Sequence, residues 1–304
     1  MGAVRILVLG GTQFFGRRLV HLLLADGHQV TVATRGLRAD DFGDGVERLV
    51  VERHDPGSMR DALHGRRFDL VYDQICSDPR DARIAVEALG DRAGRYVYTS
   101  SMGVYPHRED VSHEDDLRPE AYGFDLDAAA WDFVEGKRQA EAYFATRAPF
   151  PVVSARVGMV ISGTDDFTGR FDFYVGHVAR GASIGLRPTE HAITFATAWD
   201  TAACLRLLGT GTGAVGPVNV ANGGWRTARE LATEIGAQLG TPARFHIGGQ
   251  PPDDLPLSPY TQLPVTWKMS NARAIALGYP FGDIGEALPG IIRTSAERLG
   301  VADG

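Results

Sequence analysis

The sequence predicts an α/β fold in which a doubly wound parallel sheet carries a smaller C-terminal lobe. The chain opens with a strand, a glycine turn, a helix and a second strand. Strand-like and helix-like segments then alternate through the first half, whereas two later stretches are richer in glycine and proline. Alternation of this kind is typical of parallel strands with helices on both faces. Right-handed crossovers between the strands give the doubly wound, Rossmann order.

The opening unit predicts a dinucleotide site. Residues 6–9 form a short apolar run, and three leucines at helical spacing follow the turn. Gly10 and Gly11 allow a tight turn, and Gly16 lets helix and strand pack closely. The free N–H groups at the helix start then face a pyrophosphate. The residues predicted to bind the dinucleotide here are Gly10, Thr12, Gln13, Phe14, Phe15 and Gly16.

The remaining elements follow in chain order. Short apolar runs predict further strands at 29–33, 49–52, 70–72, 96–99, 152–155 and 218–221. Helices are expected at 81–89, 131–146, 199–208 and 227–239. Residues 1–157, with about 191–222, are then the dinucleotide-binding Rossmann domain. Residues from about 158–190 and 223–304 are the substrate-binding lobe.

The composition argues against several function classes. Of 304 residues, 44% are hydrophobic and 23% are charged, and the net charge of −7 argues against a nucleic-acid surface. No signal-peptide pattern and no apolar stretch of membrane-spanning length is present, and only two cysteines occur. We therefore expect a cytoplasmic protein that binds no nucleic acid, no membrane and no metal. Oligomeric state is not predicted. Lysine occurs only at positions 137 and 268.

The end of the second strand indicates which dinucleotide is bound. An acidic residue at this place usually binds the ribose 2′-hydroxyl of NAD, but here Thr34 is followed by Arg35, with Arg38 close behind. An arginine can form charge-assisted hydrogen bonds with a 2′-phosphate, and no carboxylate is present to repel it. We therefore expect NADP(H), bound through Arg35 and Arg38. The alternative is that both arginines are only solvated.

The glycine turn also resembles that of a known family. Gly10-x-x-Gln13-x-x-Gly16 is similar to the G-x-x-G-x-x-G loop of extended short-chain dehydrogenases/reductases, and G-G-T-x-F-x-G loops recur in the extended and atypical branches. Gln13 replaces the middle glycine, so the turn should differ locally. The resemblance implies that Asp55, after the third strand, accepts a hydrogen bond from the adenine amine. The alternative is a turn residue before Pro56.

The segment 96–105 resembles the S-S-x-x-V-Y signature of the same family. The resemblance implies that Ser101 is the catalytic serine that hydrogen-bonds the substrate oxygen, and that Thr99 lies by the nicotinamide ribose. It also implies a Tyr-x-x-x-Lys pair on the next helix, where residues four apart share one face. The lysine of such a pair holds the ribose hydroxyls and lowers the pKa of the tyrosine, which acts as acid or base.

Lys137 matches the lysine of that pair, but Phe133 occupies the tyrosine position. A phenyl ring can neither donate nor accept the proton. Three explanations stay open: a reductase with another proton source, a different reaction such as epimerisation or dehydration, and a dinucleotide-binding protein without catalysis. The candidate replacement donors are Tyr122, His113 and Asp125. We expect Ser101 and Lys137 to be catalytic, and Ser101, Tyr122 and Phe133 to contact the substrate.

Aromatic residues indicate the substrate class. The rings near the predicted site are Trp131, Phe133, Phe167, Phe171, Phe173 and Tyr174. Their density favours a large, flat, apolar molecule, although some will pack the lobe core. Tyrosine-less reductases of the extended type resemble angucyclinone ketoreductases of the simocyclinone kind. That resemblance implies an NADPH-dependent ketoreductase of secondary metabolism acting on a polycyclic aromatic ketone.

Two other function classes stay open. A nucleotide-sugar epimerase, dehydratase or reductase needs cations for a diphosphate, and Arg170, Arg180 and Arg187 could supply them. The other class is a non-catalytic, redox-responsive NADP-binding regulator.

Overall fold

The structure, a computed structural model, describes residues 2–248, 255–260 and 266–301. Its strands are β1 (Arg5–Leu9), β2 (Gln29–Thr34), β3 (Glu47–Val50), β4 (Leu70–Asp73), β5 (Tyr96–Ser101), β6 (Val152–Val157), β7 (Met159–Ile161), β8 (Ser183–Leu186), β9 (Phe195–Thr197), β10 (Gly216–Val220) and β11 (Arg244–Ile247). Its helices are α1 (Phe14–Ala25), α2 (Pro56–Leu63), α3 (Pro79–Leu89), α4 (Phe133–Arg147), α5 (Arg170–Ala179), α6 (Ala198–Arg206), α7 (Ala228–Leu239), α8 (Ala272–Ala276) and α9 (Ile284–Leu299).

Seven strands form one parallel sheet in the order β10-β6-β5-β4-β1-β2-β3. The chain builds outward from β1 to β3 on one side and then from β4 to β10 on the other. The order therefore reverses beside β1 and β4, and a crevice for ligands opens at the carboxyl ends of such strands. Two smaller pairs, β7 with β9 and β8 with β11, lie outside this sheet.

Alternate residues of the central strands pack into two helical layers. Ile6 and Val8 face a cluster that includes α1 and α6, whereas Leu7 and Leu9 face one built from α2, α3 and α4. The strands are apolar on both faces because both faces are covered. The sheet therefore fixes the positions of the loops at its carboxyl edge.

A third apolar cluster, called here the third cluster, is separate from the two layers on the sheet. It contains side chains of α5, α7, α9 and β8, and it extends to Met102, Val104 and Tyr105, directly after β5. The third cluster thus reaches the end of the strand that carries Ser101. The sequence did not predict the small β7–β9 and β8–β11 pairs.

The predicted doubly wound α/β fold is confirmed. Each of the seven expected strands occurs within a few residues of its predicted bounds; the third, expected at 49–52, is Glu47–Val50. That strand lies at the sheet edge, where pairing of Thr31 with Glu47 and of Thr34 with Val50 sets its ends. The helix expected at 131–146 begins instead at Phe133, because Asp132 caps it. The division of the chain into domain and lobe stays a prediction.

Candidate active site

The glycine turn between β1 and α1 forms a tight cradle. Gly10 and Gly11 both have a φ of +90°, in the left-handed region that favours glycine. A Cβ on Gly16 would lie 3.0 Å from the Cα of Gly11 and 2.0 Å from the side-chain oxygen of Gln74. The turn geometry and close packing expected of these three glycines are present.

The local difference expected at Gln13 appears one residue later. Gln13 is extended, with φ −139° and ψ 156°. Phe14 has a φ of 52°, and among the described residues it is the one non-glycine residue with positive φ. Its buried ring contacts Phe15 and lies edge-on to Phe167 at 5.8 Å between centroids. Packing of this ring therefore holds a conformation that glycine would adopt more easily.

Helix α1 leaves its first N–H groups without a side-chain cap. Gln13 forms no capping hydrogen bond, and the first turn holds no acidic residue. The other helices on the large sheet, α2, α3, α4 and α6, are each capped by an Asp or Thr side chain. The N–H groups of Phe14, Phe15 and Gly16 are therefore available to an anion. This cradle fits the pyrophosphate of a dinucleotide, and the contacts expected of Thr12 and Gln13 stay predictions.

Arg35 and Arg38 follow the end of β2, and both are exposed. Neither side chain forms an ion pair or hydrogen bond with any residue in the described ranges. Thr34, just before them, accepts a hydrogen bond from the N–H of Gly36 at 3.1 Å. Both guanidinium groups are thus free to meet a phosphate, and their predicted role in binding NADP(H) is compatible with this placement.

Asp55 caps helix α2. Its Oδ1 accepts a hydrogen bond from the N–H of Gly57 at 2.8 Å, and the residue is exposed. This hydrogen bond sets the start of α2 at Pro56. The hydrogen bond to an adenine amine stays a prediction.

Lys137 is buried at the carboxyl ends of β4 and β5. Its Nζ donates to the carbonyl oxygens of Cys76 at 2.6 Å and Thr99 at 2.8 Å. Burial lowers the pKa of Lys137. An ammonium group has three N–H donors, so one donor remains for a ligand. Lys137 therefore lies where the two central strands end.

Phe133 lies beside Lys137, and Ser101 lies on the strand whose Thr99 carbonyl binds Lys137. The Lys137 Nζ is 5.8 Å from the ring centroid of Phe133 and 5.0 Å from that of Tyr98. Phe133 is 63% exposed. Ser101 ends β5, two residues beyond Thr99, and its Oγ accepts the N–H of Gly103 at 3.1 Å, so its O–H can still donate. The catalytic and substrate-binding roles of these residues stay predictions.

Tyr122 contacts the other side of helix α4. Its hydroxyl donates to Glu135, at 2.8 Å from Oε2. Glu135 is two residues from both Phe133 and Lys137, which places it about 160° around the helix from each. Burial and the Glu135 carboxylate raise the pKa of Tyr122, which weakens it as an acid. The structure does not bring Tyr122 to the Lys137 face, so its predicted contact with substrate gains no support.

The other two candidate donors are exposed loop residues. The backbone N–H of His113 donates to Asp116 at 2.7 Å, and that of Asp125 donates to Gln139 at 2.8 Å. Neither bond directs a side chain toward Lys137. The proton source expected outside position 133 is therefore not evident in this loop.

The aromatic residues do not form one continuous surface. Phe171 and Tyr174 belong to the third cluster, and Phe173 packs against it. Phe133 is 63% exposed and Phe167 is 65% exposed. Trp131 lies beneath the guanidinium of Arg80, at 4.4 Å from its centroid. Of the arginines considered for a diphosphate, Arg170 contacts Met159, and Arg187 lines a cavity of about 200 Å³ with His246 and Leu257.

Sequence reasoning missed a buried polar network behind Ser100. Its hydroxyl donates to Glu141, which forms a fully buried ion pair with Arg156 at 2.7 Å. Arg156 also donates to the hydroxyl of Tyr105 at 3.0 Å, and that hydroxyl donates to Asn219 at 2.6 Å. The sequence signal was an arginine inside an apolar strand and a glutamate on the buried face of the helix before it. The network joins β5, α4, β6 and β10 beneath the site.

Sequence reasoning also missed the close approach of helix α4 at Gly136. A Cβ there would lie 2.5 Å from the carbonyl oxygen of Ser77. Helix α4 therefore approaches the segment after β4 closely enough for Lys137 to reach the Cys76 carbonyl. A glycine inside a helix, next to a buried lysine, is the signal that could have identified this contact.

Two other site classes are not found within the described ranges. No group of three or more His, Cys, Asp and Glu side chains is placed to hold a metal ion. None of the helices there has the length and apolarity needed to cross a membrane.

Comparison with known proteins identifies related sequences. The model of the NAD dependent epimerase/dehydratase family matches residues 6–163. The chain is 33% identical over 132 residues to the chloroplast stem-loop binding protein of 41 kDa b of Arabidopsis thaliana, covering 38% of this chain and 35% of the relative. It is 32% identical over 99 residues to the 2′-dehydrokanamycin reductase of Streptomyces kanamyceticus, covering 33% and 28%. The matches thus span about a third of these relatives.

Solved structures share the fold over almost the whole chain. The UDP-glucose 4-epimerase of Thermus thermophilus, solved in complex with NAD, has a TM-score of 0.73. The similarity covers 96% of this chain and 98% of that one, at 18% sequence identity. At this identity the likeness establishes the fold alone.

Proposed function

Because the chain belongs to the NAD dependent epimerase/dehydratase family, we propose that it is an NADPH-dependent ketoreductase of secondary metabolism. The proposed substrate is a ketone on a polycyclic aromatic molecule, of the angucyclinone kind, and the proposed location is the cytoplasm. The proton of this reduction comes from a group other than residue 133.

The observation that carries the proposal is the arrangement at the end of β5. Ser101 has a free O–H at the strand end, and Lys137 has one N–H left after binding Cys76 and Thr99. In this proposal Ser101 donates to the ketone oxygen and Lys137 holds the nicotinamide ribose. The reduced nicotinamide supplies the hydride when it is bound. Phe133 leaves an apolar wall where an acid would otherwise stand.

Two features support NADPH and an aromatic ketone. Arg35 and Arg38 are exposed and unpaired among the residues described, and no carboxylate ends β2. Phe133 and Phe167 expose their rings near Lys137 and the glycine turn, and exposed rings favour a flat apolar partner. The name of the relative from Streptomyces kanamyceticus also supports reduction.

A nucleotide-sugar enzyme is the second candidate. The cavity lined by Arg187, His246 and Leu257 favours it, because a cation beside a cavity suits a phosphorylated ligand. In that case the reaction is an epimerisation, dehydration or reduction of the sugar. A non-catalytic NADP-binding regulator is the third candidate.

The test is NADPH oxidation by the purified protein, followed by the loss of NADPH absorbance. One set of reactions contains polycyclic aromatic ketones, and a matched set contains nucleotide sugars. Consumption of NADPH with aromatic ketones alone supports the proposal. A reaction confined to nucleotide sugars supports the second candidate. If the protein binds NADPH but oxidises it in neither set of reactions, the result supports the regulator.

A further inference from the structure

We infer that Lys137 is itself the proton donor of the reduction, and that its proton passes through one bridging hydroxyl to the substrate oxygen held by Ser101. The inference rests on the proposed function. It concerns the proton transfer to the substrate oxygen, which Phe133 cannot perform. The Tyr122 hydroxyl is bonded to Glu135 on the other side of helix α4 and is badly placed to perform it.

Lys137 is bonded to carbonyl oxygens and to no carboxylate in the described part of the chain. Cys76 and Thr99 accept two of its N–H groups, at 2.6 Å and 2.8 Å, and the Tyr98 ring lies on a further side. A carboxylate partner would favour the charged ammonium, whereas carbonyl dipoles hold its position with weaker stabilisation of the charge. The site therefore orients the ammonium group and still allows it to release a proton.

The acidic groups that act on Lys137 are themselves engaged or buried. These groups are Asp73 at the end of β4, Cys76 after it, Asp81 on α3, and Glu141 on the next turn of α4. The three carboxylates have other partners: Asp73 pairs with Arg53 at 2.8 Å, Asp81 with His54 at 2.7 Å, and Glu141 with Arg156 at 2.7 Å. Burial outweighs their attraction, and the pKa of Lys137 is lowered. A lowered pKa makes the ammonium a better acid near neutral pH.

Strand β5 links Lys137 to Ser101, since it carries both Thr99, which binds Lys137, and Ser101. Thr99 and Ser101 are two residues apart, which is about 7 Å along a strand. Lys137 Nζ is 2.8 Å from the Thr99 carbonyl. In the inferred step one hydroxyl, from water or from the ribose, bridges Nζ and an oxygen bound to Ser101. The Phe133 ring lies 5.8 Å from Nζ and is 63% exposed, so solvent that can reprotonate Lys137 is close by.

The step balances without a further reactant. Hydride adds to the carbonyl carbon, and the C=O π pair moves to the oxygen. That oxygen takes a proton from the bridging hydroxyl, which takes one from the Lys137 ammonium. Lys137 is left as a neutral amine and regains its proton from solvent before the next turnover.

The first experiment measures Lys137 directly. Because the chain has two lysines, 13C-labelled lysine gives two side-chain signals, and Lys268→Arg assigns them. We expect the Lys137 signal to titrate below the ordinary lysine value in the free protein. A Lys137 signal that stays fully protonated up to the ordinary lysine pKa of about 10.4 overturns the inference.

The second experiment compares pH–rate profiles of the wild type, Lys137→Arg and the control Lys268→Arg. An arginine keeps the charge and the hydrogen bonds but does not release a proton. We expect Lys137→Arg to retain NADPH binding and lose about 10²–10⁴-fold in turnover. The wild-type rate should fall as pH rises through the titration point seen by NMR, and Lys268→Arg should behave as the wild type.

The outcomes separate this inference from the proposed function. A wild type that transfers no hydride to any aromatic ketone overturns both. Hydride transfer by the wild type, with equal turnover and an equal pH profile in Lys137→Arg, overturns the inference alone. If Lys137→Arg does not fold, the wild-type comparison decides: a pH–rate midpoint that differs from the Lys137 titration overturns the inference.

Discussion

Gly136 offers a test of how closely helix α4 must approach the segment after β4. In Gly136→Ala the new Cβ would lie 2.5 Å from the Ser77 carbonyl oxygen, about 1 Å inside an ordinary contact of about 3.5 Å. The carbonyl cannot withdraw easily, because the N–H of the same residue is bonded to Asp81 at 2.8 Å. Overpacking of this kind costs about 1–3 kcal/mol. Alanine stabilises a helix interior by about 1 kcal/mol over glycine, so we expect a net loss of up to about 2 kcal/mol.

Gly290 is the matched control. It lies inside α9, and a Cβ there would meet no atom within 4 Å. Gly290→Ala should therefore raise the free energy of unfolding by about 1 kcal/mol through helix propensity. Urea unfolding followed by circular dichroism measures both variants. The reasoning is refuted if Gly136→Ala proves as stable as Gly290→Ala. Cofactor affinity should also fall in Gly136→Ala, since the Cys76 carbonyl that holds Lys137 precedes Ser77.

Three further outcomes are expected. Arg35→Ala should weaken NADP(H) binding about 10- to 100-fold, the equivalent of one charge-assisted hydrogen bond, and leave NAD(H) binding unchanged by calorimetry; equal affinity of the wild type for both would contradict this. Tyr122→Phe should keep turnover within about twofold, because the Tyr122 hydroxyl is bonded to Glu135, away from Lys137. A hundredfold loss of turnover would instead indicate that Tyr122 is the proton donor. Glu141→Leu leaves Arg156 buried without its partner and should lower the free energy of unfolding by about 3–5 kcal/mol, with part recovered in Glu141→Leu/Arg156→Met; an unchanged urea midpoint would be contrary to that expectation.

The fold could be predicted because the central strands of the sheet are local apolar runs. Residues such as Leu7 and Val8 are buried on opposite faces, so a parallel strand covered on both sides needs no alternation of polar residues. The edge strand β3 was displaced by two residues in the prediction, because its pairing with β2 and not its own apolarity sets its ends. The two-stranded pairs β7–β9 and β8–β11 join distant segments, which local periodicity cannot indicate.

The candidate site was predictable only in part. Glycines with positive φ and a lysine four residues after Phe133 are local patterns, and the structure has them at one edge of the sheet. The partners of Lys137 are backbone carbonyls of Cys76 and Thr99, which carry no sequence signal. The position of Tyr122 likewise depends on which face of α4 the preceding loop crosses, and only the folded chain determines that.

The uncapped start of helix α1 has a consequence for the lifetime of the protein. A side-chain cap is worth about 1 kcal/mol to a helix, and α1 has none at Gln13. A pyrophosphate bound there would supply the missing hydrogen bonds, so occupancy would suppress local opening of the first turn. A ligand present at about 100 times its dissociation constant stabilises the folded state by about 2.7 kcal/mol. Proteolysis that begins by such opening would then slow when the dinucleotide is plentiful, and the abundance of the protein would follow the supply of its cofactor.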